Sequence, residues 1–567
     1  VPSSPLPDPR QLPDPRELPS PRRRPGRRGW TVATAITVAL AIAVTGCGSD
    51  GGSDTSDGAT SGEPTEGGTL TYGFTAAPDC VDSRQRPQLN SRTIGRQLAD
   101  TLTEQDPATG ELLPWLATSW TVSDDVTAFT FELREDVTFS DGEPFDAEAV
   151  KANFDAVVEL GALAPQGSSF LAGYRQSVVD DDFVVTVEFE EPNAQFLQAT
   201  ATQSLIQLSP ASLGNDPADL CQGDFAGSGP FTLDKFTPES SVELVRRDDY
   251  AWASPIAENQ GAAHVERVVL EGIPEGSVRQ GSLTSGQVDV IESVPAAGLA
   301  QLESDDRFTV DSVVLPAIAI PYVPLVHSPK LSDPDTRRAL GLALDREAIV
   351  TAVYNGVSQP ATGVLTTTNP GYLDQSDDVR YDPAAAEELL DRAGWNVIGD
   401  DGVRQRADGE RLSLTITYAS GNPESEQQHQ LAQQQWAEVG IELKLDPVSD
   451  LPLVNMDEYP GDIATWSQTR ADVDVIRLVY SSFHPEMSML YGQPDEELDA
   501  LLSSLQTTVD TEERQEIAEQ AQRRIIEQGY SVPVLDRVWA YGYPNELGGF
   551  ATDIEGKALL NEVWLAS

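Results

Sequence analysis

The stretch that most constrains this chain runs from Trp115 to Phe154, WLATSWTVSDDVTAFTFELREDVTFSDGEPFDAEAVKANF. Phe129, Phe131 and Leu133 alternate with Thr130, Glu132 and Arg134, the period-two pattern of a strand with one buried face. Ser140, Asp141 and Gly142 form a turn signal. From Asp146 the composition becomes helical, and an aspartate there suits the free N–H groups of a first turn. A second alternating run, Phe183–Phe189, repeats the strand pattern. Sheet and helix must therefore share a core. None of these residues forms a catalytic constellation.

The N-terminus bears on location. Arg22, Arg23, Arg24, Arg27 and Arg28 precede an uncharged, mostly apolar run from Trp30 to Val44, which ends in Val44-Thr45-Gly46-Cys47. A basic region, an apolar region of this length and small residues before a cleavage point make residues 1–46 a signal peptide with a Pro-rich extension over 1–21. The run is shorter than the ~20 residues that span a bilayer comfortably. Cys47 after Thr-Gly resembles a bacterial lipobox, in which the thiol receives a diacylglycerol and becomes the first mature residue. The alternative is an ordinary signal peptide with an incidental cysteine. Buried acyl chains contribute about 0.8 kcal/mol per methylene, so two or more hold a protein on a membrane. The expected location is the outer face of the cytoplasmic membrane, lipid-anchored. Residues 47–68, Gly/Ser/Asp/Thr-rich after the cysteine, cannot bury enough surface to order themselves and read as a flexible linker.

The formal net charge of -54 repels phosphate backbones, so nucleic acid is not an expected partner. It also repels anionic headgroups, leaving the lipid as the anchor. With Cys47 lipidated, Cys80 and Cys221 remain as an even pair in an oxidising compartment, which reads as a disulfide; two buried free thiols are the alternative. Enzyme motifs are missing: the chain has no Gly-x-Ser-x-Gly, His-Glu-x-x-His, Walker A, Gly-x-Gly-x-x-Gly or Cys-x-x-Cys. The four histidines, His264, His327, His429 and His484, lie far apart in sequence and read as single surface or core residues. No catalytic residue, metal or cofactor is expected.

The segment 115–154 closely resembles the signature of the peptide- and nickel-binding family of ABC-transporter solute-binding proteins (family 5, cluster C). Further segments resemble that family in order: Gly227-Ser228-Gly229-Pro230-Phe231; Leu283 to Val290 with Gly286, Val288 and Asp289; and Asp333-Pro334-Asp335-Thr336-Arg337-Arg338-Ala339-Leu340 followed by Asp345-Arg346. Then come Tyr381-Asp382-Pro383, with Leu389, Leu390, Gly394 and Trp395, a late helix from Thr511, and Val532-Pro533-Val534.

The resemblance implies a two-lobed α/β periplasmic-binding-protein-like fold of cluster C type with an extra subdomain. It places lobe I in 69–97, 225–318 and 531–567, the added subdomain in 98–224 and lobe II in 319–530. It implies capture of a small solute, a peptide or other polar molecule, in a cleft that closes between lobes, and delivery to ABC permease subunits by a monomeric receptor. The alternative is a transport-independent lipoprotein on the same fold, acting as a sensor, adhesin or assembly factor. In peptide-binding relatives a Gly-Trp-x-x-Asp segment supplies a tryptophan to the cleft and an aspartate to the peptide amine. Here Trp466 matches, Thr469 stands where the aspartate would be, and Asp472 is the neighbouring carboxylate for that role. Arg470 is the candidate partner for a ligand carboxylate, or else a solvated side chain. Trp466 lines the cleft, or packs between lobes.

Overall fold

The computed structural model describes residues 63–449, 459–465, 467–483 and 488–566. Cys47, Trp466 and His484 lie outside the described residues. Three larger sheets carry the architecture. The first has seven strands in the order Phe308–Val314, Val538–Pro544, Val290–Ile291, Thr69–Phe74, Arg267–Gly272, Ser241–Arg246 and Phe231–Thr237. Thr69–Phe74 runs parallel to Arg267–Gly272 and to Val290–Ile291, so these three strands end at one edge.

The second sheet has six strands in the order Gln359–Pro360, Val532–Asp536, Ile320–Pro324, Ile463–Ala464, Ser413–Ala419 and Glu442–Val448. Ser413–Ala419 is parallel to Glu442–Val448 and to Ile463–Ala464. The chain crosses between the two sheets from Val314 to Ile320 and again from Asp536 to Val538. The crossings lie side by side, with the Leu315 N–H donating to the Arg537 carbonyl at 3.1 Å. These two strands of chain are the only covalent links a hinge here would bend, apart from any in undescribed residues.

The third sheet is antiparallel, in the order Ala117–Val122, Ala128–Leu133, Val184–Phe189 and Tyr174–Asp181. Both expected strands are present within it. Phe129 and Phe131 are fully buried, and Phe196 stands edge-on to Phe129, Phe131, Phe154 and Phe189. Asp146 caps the helix Ala147–Leu160, its Oδ1 accepting from the Ala149 N–H at 2.9 Å. The fold is thus two α/β lobes with an added subdomain.

Two expected boundaries need correction. Residues 531–567 do not all return to lobe I: Val532–Asp536 pairs antiparallel with Ile320–Pro324 in the second sheet, and the return begins at Val538. The run from Val532 to Pro544 has no glycine before Gly542 and no turn signal, so nothing local marks the change of sheet at Arg537. Tyr250, Trp252, Ala253 and Ala257, placed by sequence in lobe I, pack into the core of the third sheet. Trp252 is held there by its indole N–H, which donates to Asp100 and to the Ser228 carbonyl at 3.0 Å each. Cys80 and Cys221 form a disulfide that ties the segment after the first strand to the short helix Pro217–Cys221, with Cα atoms 4.3 Å apart. No helix among the described residues is long and apolar enough to cross a membrane.

The interlobe cleft as candidate binding site

In open α/β sheets ligands bind in the crevice outside the carboxyl ends of the strands, where neighbouring connections part to opposite sides of the sheet. In this chain the carboxyl ends of both parallel sets meet at the crossings. Val290–Ile291 leads into Ser293 and Pro295, Ser413–Ala419 ends at Tyr418 and Ala419, and Ile463–Ala464 leads into Thr465 and Ser467. A cavity of about 460 Å³ lies among these residues and the crossing residues Leu535, Arg537 and Val538. That volume falls within the usual range for small-molecule sites.

The cavity wall is fixed from behind. Arg279 donates Nε to the Glu292 carbonyl at 2.9 Å and Nη2 to the Ser293 carbonyl at 2.7 Å. Ser293 is held at a φ of +48°, a left-handed conformation that L-residues adopt at a cost of about 1–3 kcal/mol. The Glu292 carboxylate accepts from the Thr75 N–H and hydroxyl at 2.9 Å each, although burial pushes its pKa up. On the facing lobe, Tyr354 Oη donates to Gln428 Oε1 at 2.8 Å. Two charged side chains line the cavity, Glu424 and Arg537. Burial raises the Glu424 pKa, and the Arg537 guanidinium opposes this as a smaller influence. Arg537 is exposed and Glu424 half-buried, and among the described residues neither side chain has a hydrogen bond or an ion pair.

The residues expected from sequence are placed differently. Trp466 is outside the described residues, but its neighbours Thr465 and Ser467 both line the cavity. Thr469 is half-buried, and its extended backbone bridges Ala317 in the first crossing. Arg470 is not solvated: it is 2 % exposed. Its Nη2 donates to Gln195 Oε1 at 3.1 Å, its guanidinium lies 4.7 Å over the Phe170 ring, and Asp474 is 3.7 Å from Nη1. It therefore bonds lobe II to the added subdomain. Asp472 accepts from Arg514 Nη2 at 3.0 and 3.3 Å and from the Asp474 N–H at 2.6 Å. Its charge is already matched within the chain, so it is not open to a ligand amine in this conformation. Glu424 and Arg537 went unnoticed in the sequence. Glu424 had a usable signal: it opens the helix Pro423–Glu438 directly after the strand Ser413–Ala419, the position where βα turns meet ligands.

Sheet order, double crossing and cleft define a two-lobed solute receptor. The family model of the bacterial extracellular solute-binding proteins, family 5 (middle region), matches residues 111–494, and the chain belongs to that family. It is 25% identical over 499 residues to the probable D,D-dipeptide-binding periplasmic protein DdpA of Escherichia coli K12, covering 85% of this chain and 91% of the relative. The glutathione-binding protein GsiB of Salmonella paratyphi A is 24% identical over 447 residues, covering 77% and 82%. Among solved structures, the oligopeptide-binding protein AppA of Bacillus subtilis, in complex with a nonapeptide, superposes with a TM-score of 0.73 at 21% identity, covering 89% of this chain and all of that one. NikA from Brucella suis, in complex with Fe(III)-EDTA, gives 0.75 at 20%, covering 88% and all of that chain. These relatives are binding proteins rather than enzymes, and this chain is a substrate-binding protein of the kind that serves ABC importers.

Proposed function

We propose that the mature protein, anchored by a lipid on Cys47 at the outer face of the cytoplasmic membrane, captures a small zwitterionic solute in the cleft and hands it to ABC permease subunits. The moving bodies are lobe II, residues 319–536, and lobe I with its subdomain, in a monomer. The observation that carries this reading is the cavity at the carboxyl ends of parallel strands from both sheets, with one carboxylate, Glu424, and one guanidinium, Arg537, in its wall. A closed cleft excludes water, and a charge carried into it needs an opposite partner. Glu424 supplies the partner for an ammonium and Arg537 the partner for a carboxylate. Relatives named for a D,D-dipeptide and for glutathione support a peptide-like solute. Thr465 and Ser467 belong to the same wall, while Thr469, Arg470 and Asp472 position the crossing and the lobe contact.

Mass spectrometry of small molecules released on denaturing the purified protein tests the solute class, followed by calorimetry with the identified compound. A released zwitterion, bound at least about tenfold more weakly by Arg537→Ala and Glu424→Gln, supports the reading. A solute lacking one of the two charges, or one bound equally well by both variants, overturns it. Detergent phase partitioning tests the anchor: Cys47→Ala should leave the lipid phase.

A further inference from the structure

Buried arginines in this protein are paired with carboxylates almost throughout. Arg84 is held by Asp82, Arg92 by Glu555, Arg96 by Glu104, Arg404 by Asp391 and Arg477 by Asp474. Among the described residues, Arg279, Arg337 and Arg346 are the buried arginines without a carboxylate partner. Arg279 belongs to the cleft wall, where carbonyls take up its donors. Arg337 and Arg346 line one cavity of about 70 Å³ in lobe II.

Arg346 donates Nε to the Pro533 carbonyl at 2.6 Å, and Nη1 to the carbonyls of Gly341 and Leu344 at 3.2 Å each and of Val379 at 2.5 Å. Its Nη2 is buried with no partner. Arg337 is fixed in the same manner, with Nε on the Gln528 carbonyl at 2.9 Å and Nη1 on the carbonyls of Leu331 and Ser332 at 2.7 and 3.0 Å. The space beside Arg346 exists because residue 341 is glycine. A Cβ there would stand 3.9 Å from Arg346 Nη2 and 3.9 Å from Val532 Cγ2, ordinary contact distances, so a side chain at 341 starts into this space without a clash at its Cβ.

We propose that this cavity is a second binding site, separate from the cleft, for a small oxyanion such as sulfate or phosphate. A buried cation without a counter-charge is costly, and an anion against its open N–H offsets that cost. With Nε and Nη1 of Arg346 fixed by carbonyls, Nη2 is the one nitrogen left to donate, and it suits a charge-assisted hydrogen bond to a single oxyanion oxygen. The strand Val532–Asp536 separates the two sites: Val532 and Pro533 line this cavity, while Leu535 and the following Arg537 line the cleft. Along a strand that is a distance of roughly 10 Å. Asp378 and Glu527 stand exposed at the rim and oppose large anions, and Arg338 beside them is turned toward Asp335 at 3.7 Å.

The test is thermal unfolding of the full-length protein in sodium sulfate or sodium phosphate, against sodium chloride at equal ionic strength. A saturable rise of roughly 2 °C or more over chloride is expected. Sulfate also stabilises proteins non-specifically by exclusion from their surface, so the Gly341→Leu variant is run in parallel. Leucine favours the helix and fills the cavity, and this variant should fold, keep cleft binding and lose the saturable rise. Calorimetric titration of inorganic phosphate into the unaltered protein gives a readout that needs no variant. No saturable heat, or an equal rise in Gly341→Leu, means the cavity holds only water and overturns the proposal.

Discussion

Asp472 is the carboxylate that the sequence offered for a ligand amine, yet Arg514 donates to both of its oxygens. Removing one partner of a largely buried ion pair typically costs about 3–5 kcal/mol, because the other charge is left unmatched. Asp472→Asn should therefore lower the stability measured by urea unfolding by that order, with solute affinity nearly unchanged. A large affinity loss at normal stability would return Asp472 to the cleft. His429 is the other residue with a measurable signature. It is fully buried, with Nδ1 3.0 Å from Tyr322 Oη and Nε2 without a partner, and burial lowers its pKa to about 4. The unfolded chain then binds a proton from about pH 6.5 downward that the folded chain refuses, so this residue withdraws stability as pH falls from about 6.5 to about 4. The span of about 2.5 units corresponds to roughly 3 kcal/mol at most. Buried Asp100, raised to about 6, acts in the opposite sense, losing stability as pH rises through that value. Comparing urea midpoints of the unaltered protein and His429→Gln across pH 4.5–7 cancels the Asp100 contribution. Parallel pH profiles for the two proteins would falsify the assignment.

Helix starts were legible because capping is a matter of three or four consecutive residues. Asp146, Asp333 and Asp382 each accept a backbone N–H of the first turn, from Ala149, Asp335 and Ala385. The glycines of Gly227-Ser228-Gly229 were also visible, but for a different reason than their backbone freedom. Neither has a positive φ. A Cβ on Gly227 would lie 2.0 Å from the Leu98 carbonyl oxygen, and one on Gly229 would lie 2.6 Å from that of Gln97. The loop is pressed against the end of the helix Leu89–Leu98, and Ser228 Oγ accepts the Asp100 N–H at 2.9 Å to hold it there. Gly229→Ala should then cost about 1–3 kcal/mol, as overpacking does, and show as a lower urea midpoint with unchanged slope. A neutral outcome would mean the loop can retreat from the helix.

At the scale of the molecule, the Cys80–Cys221 bridge spans a sequence separation of 141. Closing a loop of that length restrains the unfolded chain enough to stabilise the fold by about 2–5 kcal/mol. The Cys80→Ser/Cys221→Ser double variant should lose that much, and the unaltered protein, denatured without reductant, should show no titratable thiol at these positions. Two reactive thiols per chain would exclude the bridge. Alternating runs, caps and turns determined from the sequence alone that Phe129–Leu133 and Phe183–Phe189 are strands, found at Ala128–Leu133 and Val184–Phe189, that a helix starts after Asp146, and that the motifs follow one family's order. Those signals act over a few residues, where steric preference and the nearest hydrogen bonds decide conformation. Only the tertiary structure decided that Val532–Asp536 joins the second sheet, that Arg514 matches Asp472, and that Glu424 and Arg537 line one cavity. Each of these depends on which distant groups packing brings within a few ångströms, and no local preference along the chain encodes that.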